Sequence, residues 1–205
     1  MATDSVLLLE GQDDKHVVTN LLFLHQLEAR FNIKEKGGID NLIDTLSVEI
    51  RASELKRIGI VVDADTSLTN RWLSLISVLT KSGYMDIPKT PSGIGTIIKQ
   101  VGKPTVGIWL MPNNLDNGMI EDFTMLLISP QDRLLPLAQA AVETIPPEDR
   151  LFPEVHRSKA LVHTWLAWQV DPGVPMGAAI IRKFLGSDTP TALAFVTWLN
   201  QLLLS

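Results

Sequence analysis

The sequence contains no cysteine. That one absence excludes disulfides, thiolate metal sites and cysteine nucleophiles together, and it agrees with a cytoplasmic protein. Positive charge is not in excess either: 18 Lys and Arg stand against 23 Asp and Glu, a net charge of −5. A broad basic face for nonspecific nucleic-acid binding is therefore not evident, although a local patch can differ from the total. No run approaches the roughly 18 apolar residues that cross a bilayer, so no membrane span is expected. The first residues, "MATDSVLLLEG", carry no basic stretch ahead of a short apolar run, which argues against a signal peptide.

What is present is a chain able to build a core. Hydrophobic residues make up 45% of the 205 and charged residues 20%, as in ordinary globular domains. Three apolar runs stand out: "SVLLLEG" from residue 5, "RIGIVVDAD" from 57 and "TVGIWLMP" from 105. None alternates apolar with polar, so each reads as a strand covered on both faces, as in a parallel sheet. A shorter strand is expected in "FNIKEKGG". Helical spacing fills the intervals, at about 13–30, 39–52 and 67–83, and a short helix fits "IEDFTMLLIS". The Pro- and Gly-rich stretch from Ile87 to Lys103, including "PSGIGT", reads as a mobile loop. Alternating strands and helices predict an α/β fold with a mostly parallel, right-handed sheet flanked by helices. Beyond about residue 130 only helical segments follow. The chain thus divides into an α/β domain over 1–128 and a helical extension over 129–205 packed on it.

Acidic residues gather at three strand ends. Glu10 is followed by Asp13 and Asp14; Asp63 by Asp65; and beyond the third strand come Asp116, Glu121 and Asp122. In a parallel sheet the carboxyl ends of the strands share one edge, where ligands bind. Residues two apart on a strand face the same way, which would aim Asp63 and Asp65 at one site. Converging carboxylates repel one another, and a divalent cation relieves that repulsion. Oxygen ligands without His or Cys point to Mg²⁺ or Mn²⁺, ions that polarise a phosphoryl oxygen and activate water. A plainer account exists for most of these acids. Asp13, Asp14, Glu121 and Asp122 suit the first turn of a helix, and Asp65 could cap one. Glu10, between an apolar strand and a glycine, has no such account.

In this order, Glu10-Gly11 with Asp14 ("EGQDD") and then Asp63-Ala64-Asp65 ("VVDAD") resemble the two signatures of the Toprim domain of topoisomerases, primases and overcoming-lysogenization-defect (OLD) nucleases. The resemblance covers roughly residues 5–128. "GIWLMPNN", "GMIEDF" and "KALVHTWLAWQVDPG" also resemble small bacterial Toprim-like proteins related to the OLD nucleases. It implies a Toprim or Rossmann-like sheet, with Glu10 as metal ligand or general base and Asp14, Asp63 and Asp65 as metal ligands. It further implies that Glu121 and Asp122 support a second ion and that Lys159 stabilises a phosphate. The chain departs from the pattern in three ways. Ser67 stands where topoisomerases carry a third acid. Asn113 and Asn114 are neutral where a further acid could serve. "GKPT" at 102–105 lacks P-loop spacing, so any OLD-type ATPase would lie on another chain.

The remaining features weigh less. Leu161, Val162, Trp165, Leu166 and Trp168 form an apolar helix stripe that reads as core more readily than as a base-stacking surface. His156 and His163 read as surface or packing residues, and His16 is a minor site candidate. "VHRSK" could meet phosphate but reads first as a solvated helix start. The leading function is a divalent-metal-dependent nuclease or phosphodiester hydrolase acting on nucleic acid or another phosphoester. Two alternatives stand beside it: a phosphatase reading of "DADTS", and a non-catalytic Toprim-like module that binds nucleotide or protein.

Overall fold

The computed structural model describes residues 4–52 and 54–205. Five strands form one sheet: β1 (Ser5–Leu9), β2 (Asn32–Glu35), β3 (Arg57–Asp63), β4 (Thr96–Ile98) and β5 (Thr105–Met111). Their order is β2-β1-β3-β5-β4, parallel throughout except for β4, which runs antiparallel to β5. Three helices connect or follow the parallel strands: α1 (Gln12–Leu24), α2 (Ile39–Arg51) and α3 (Leu68–Lys81). Five more complete the chain: α4 (Ile120–Met125), α5 (Leu135–Thr144), α6 (Arg157–Ala167), α7 (Met176–Ile181) and α8 (Pro190–Leu204). The fold is therefore α/β with a mostly parallel sheet flanked by helices, as a Toprim or Rossmann-like reading requires.

The apolar strands are covered on both faces. Val6 and Leu8 of β1, Ile58, Ile60 and Val62 of β3, and Val106, Ile108 and Leu110 of β5 face a core closed by α2 and α3. Leu7, Leu9, Val61, Trp109 and Met111 face the other core, filled by α1 and the helices from α4 onward. On that second face Gly59 and Gly107 stand opposite each other on β3 and β5. A Cβ at Gly59 would sit 2.6 Å from Leu7, and one at Gly107 would sit 2.9 Å from Leu202 and 3.0 Å from Trp198. The paired glycines make a shallow trough into which α8 settles. Thr189 caps that helix by accepting from the Ala192 N–H at 3.3 Å, and Pro190 fits its first turn. Trp109, Phe195 and Trp198 pack ring to ring there, with centroids 5.2–5.7 Å apart.

Four expectations change. The stretch read as a mobile loop enters the edge strand β4, and Gly95 (φ +86°) lies against Trp198, where a Cβ would come within 2.3 Å of the indole. The first helix stops at Leu24, and a separate 3-10 turn covers Glu28–Arg30. β3 ends at Asp63, so Asp65 lies beyond it with φ +52°. The helix stripe is core at Leu161, Val162, Trp165 and Leu166, whereas Trp168 is exposed. Among the described residues, no helix is long and apolar enough to cross a membrane.

Candidate functional site

Adjacent β1 and β3 end side by side, with Leu9 opposite Val61. The next residues off these strands therefore emerge together at the carboxyl edge. Glu10 follows β1, and its Oε2 accepts from the Asp63 backbone N–H at 3.2 Å. Gly11 then turns the chain into α1, whose first turn brings Asp14 back under Glu10. A Cβ at Gly11 would lie 3.2 Å from Asp14 Oδ2, so a larger residue would crowd that carboxylate. Asp63 ends β3. From the far side α4 brings Glu121, and α6 brings Lys159. Lys159 Nζ lies 3.2 Å from Glu121 Oε1 and 3.7 Å from Asp13 Oδ2. Asp13, Asp14, Asp63, Glu121, His156 and Lys159 line a cleft of about 260 Å³, and Glu10 stands beside it through its bond from the Asp63 N–H.

The carboxylates sit under strain. Asp14 and Glu121 are buried, at 4% and 3% exposure. Asp14 Oδ1 and Asp63 Oδ1 are enclosed and accept no hydrogen bond. Burial, and then repulsion from Glu10, pushes the Asp14 carboxyl up to about 7. Burial and the neighbouring Asp14, Glu10 and Glu121 hold Asp63 well above the ordinary carboxylate range. Glu10 is raised as well, chiefly by burial, against the opposing Asp63 N–H and Arg71. Burial works against the Lys159 charge, but the attraction and hydrogen bond of Glu121, with Asp13 behind, raise its pKa.

Two predicted ligands are committed elsewhere. Asp65 forms a close ion pair with Arg71, whose Nε also donates to the Asp63 carbonyl at 2.7 Å. Its backbone pairs with Gly118 in both directions, at 2.8 and 2.9 Å, tying the end of β3 to the approach to α4. Asp122 accepts from the Met119 N–H at 2.8 Å at the start of α4 and from the Ser158 hydroxyl. Gly118 (φ +144°) leaves room for this cap, since a Cβ would lie 2.7 Å from Asp122 Oδ2. Asn113 closes a turn, accepting from Leu115 and Asp116 and donating to Asp116, while Asn114 accepts from the Leu110 N–H. Asp116 is therefore part of a turn, not of the cleft. His16 is exposed on α1, and its backbone lies where a Cβ at Gly177 would collide.

Sequence reading missed Arg71 and Ser158, and it undervalued His156 and Asp13. Arg71 follows Asp65 by six residues across a loop and a helix start, a spacing that signals no pair.

The enclosed, unpartnered oxygens of Asp14 and Asp63 are carboxylate donors, the chemistry that fits a hard divalent cation. No closed cage is formed, because among the described residues no three His, Cys, Asp or Glu side chains are grouped to hold an ion.

Residues 4–204 match the family described as protein of unknown function (DUF3226), and the chain belongs to it. No curated protein and no solved structure matches the chain.

Proposed function

We propose that this chain is a divalent-metal-dependent phosphoryl-transfer enzyme, a nuclease or phosphodiester hydrolase of Toprim type that works in the cytoplasm. One observation carries the reading: Asp14 and Asp63 each hold an enclosed carboxylate oxygen without a partner, beside Glu10 and within a cleft that Lys159 overlooks. A fold seldom keeps such costly groups unless something charged meets them.

Asp63 and Asp14 would hold Mg²⁺ or Mn²⁺. When bound, the ion supplies Lewis-acid stabilisation of the charge on a transferring phosphoryl group. The chain's own groups supply the rest. Lys159 draws a substrate phosphate into the cleft and neutralises one of its oxygens. Glu121, itself buried, and Asp13 keep the ammonium pointed there. The free oxygen of Glu10 accepts a proton from attacking water, a role suited to a carboxylate of raised pKa. Asp65 and Asp122 serve as supports: Asp65 through Arg71 fixes the end of β3, and Asp122 through Ser158 fixes α4 to α6. The substrate is a phosphodiester, nucleic acid included, and an ATPase on another chain would complete an OLD-type assembly.

The absence of a preformed cage among the described residues favours a second reading, a non-catalytic Toprim-like module that binds nucleotide or protein. Calorimetry with Mn²⁺ separates the two. Binding to the wild type that disappears in Asp63→Asn, with Mn²⁺-dependent cleavage of a phosphodiester reporter, supports the enzyme. No binding at millimolar Mn²⁺, with or without a phosphodiester present, moves the assignment to the module.

A further inference from the structure

The opposite edge of the sheet has a cleft of its own, about 980 Å³ in volume. It lies one strand length away, roughly 20 Å at the usual rise of β3. Its rim is cationic. Arg51 ends α2, Lys81 ends α3, and Lys103 comes from the turn before β5. All three are exposed, and none has an acidic partner among the described residues. Lys56 adds a fourth positive charge but is paired with Asp4 at 3.1 Å. Asp44 is the one acid in the lining.

A cation in the last turn of a helix complements the dipole, so Arg51 and Lys81 taken singly would need no ligand. Lys103 is on no helix. It lies with its Nζ 6.0 Å from the Tyr84 ring centre and against Gly83. Three elements therefore direct unpaired cations at one concavity in a chain whose net charge is −5. The walls between them are mixed, with Ile43, Val78 and Pro104 supplying apolar surface beside Ser47 and Ser82. The volume is that of small-molecule sites, about 300–1,000 Å³. A bare inorganic anion would use the rim and leave the walls idle. A polyanion with a flat apolar body uses both.

We propose that this cleft binds a nucleoside polyphosphate, with phosphates on Arg51, Lys81 and Lys103 and the base against the apolar wall. The site is independent of the carboxylate cleft and stands or falls without it.

The test is calorimetric titration of the full chain with ATP and, separately, with inorganic tripolyphosphate, both in a chelator so that no metal ion contributes. The expected result is saturable ATP binding at one site, at least about tenfold tighter than tripolyphosphate. Lys81→Glu combined with Lys103→Glu should weaken it by about tenfold or more, because charge-assisted contacts to phosphate are lost. Lys81→Arg with Lys103→Arg should retain it, and so should Asp63→Asn. Both lysines are exposed, and circular dichroism checks that the variants fold. No saturable binding at millimolar ATP, or equal binding in the charge-reversed variant, overturns the proposal. Equal affinity for tripolyphosphate overturns the nucleoside assignment.

Discussion

The two ends of one sheet carry charge in opposite ways. At the carboxyl end, β1, β3 and the start of α1 bring Glu10, Asp14 and Asp63 together, and among the described residues no group bonds the enclosed oxygens of Asp14 and Asp63. At the amino end, Arg51, Lys81 and Lys103 ring an open cleft and stay in water. Like charges in water cost little, because solvent screens them. Like charges in a buried crevice cost stability until a proton or a counter-ion arrives. The carboxyl end is thus a destabilised place that the rest of the fold sustains, as expected of a site built for chemistry.

The largest expected effect breaks the carboxyl end outright. Asp63→Asn or Glu10→Gln should lower Mn²⁺-dependent phosphodiester turnover by at least about 10³-fold, with the circular dichroism spectrum unchanged. Turnover within a few fold of wild type in both would remove the proposed site. Next comes Lys159→Met, which should cost about 10²-fold in rate by removing the charge that meets the phosphate. The same change at Lys103, at the other end, should leave the rate alone.

A smaller effect sharpens the comparison through stability. The Asp14 carboxyl stands at about 7 in the folded chain and at 3.8 ordinarily. Between those values the folded protein holds a proton that the unfolded chain has released. Stability without metal should therefore fall as pH rises from about 4 to about 7, and stay low above. Asp14→Asn should flatten this slope and raise stability at pH 8 by about 2 kcal/mol, several degrees in melting temperature. Denaturant melts at pH 5 and pH 8 would reveal it, and parallel profiles for the two proteins would refute it. The smallest effect concerns the supports. Asp122→Ala should cost about 1 kcal/mol, the value of a helix cap, while Mn²⁺ binding measured by calorimetry persists.

The core of this arrangement was legible in the residues. Unbroken apolar runs marked β1, β3 and β5, and Asp14, Asp63, Glu121 and Lys159 do line one cleft, with Glu10 bonded to the Asp63 N–H beside it. The edge strand β4 was hidden because three residues between Pro and Gly carry too little periodicity to register. Asp65 was misplaced because its strand stops two residues sooner, a matter of backbone geometry rather than composition. Asp122 could not be told from a ligand, since an acid in a helix's first turn reads alike whether it binds an ion or a backbone N–H. The basic cleft was invisible because residues 51, 81 and 103 share nothing in sequence.

The glycine trough has a consequence for how the chain reaches this state. Leu202 and Trp198 close a gap between β3 and β5, strands that lie about 90 residues or more upstream. Loop-closure entropy must be met before such a contact gives anything back. One face of the sheet can therefore form early against α2 and α3, all nearby in sequence. The other waits, with Trp109 uncovered, for the arrival of α8. A chain interrupted before Trp198 would hold a half-sealed sheet, sticky on the side that α8 should cover, and prone to be recognised as unfinished by whatever in the cell inspects exposed apolar surface.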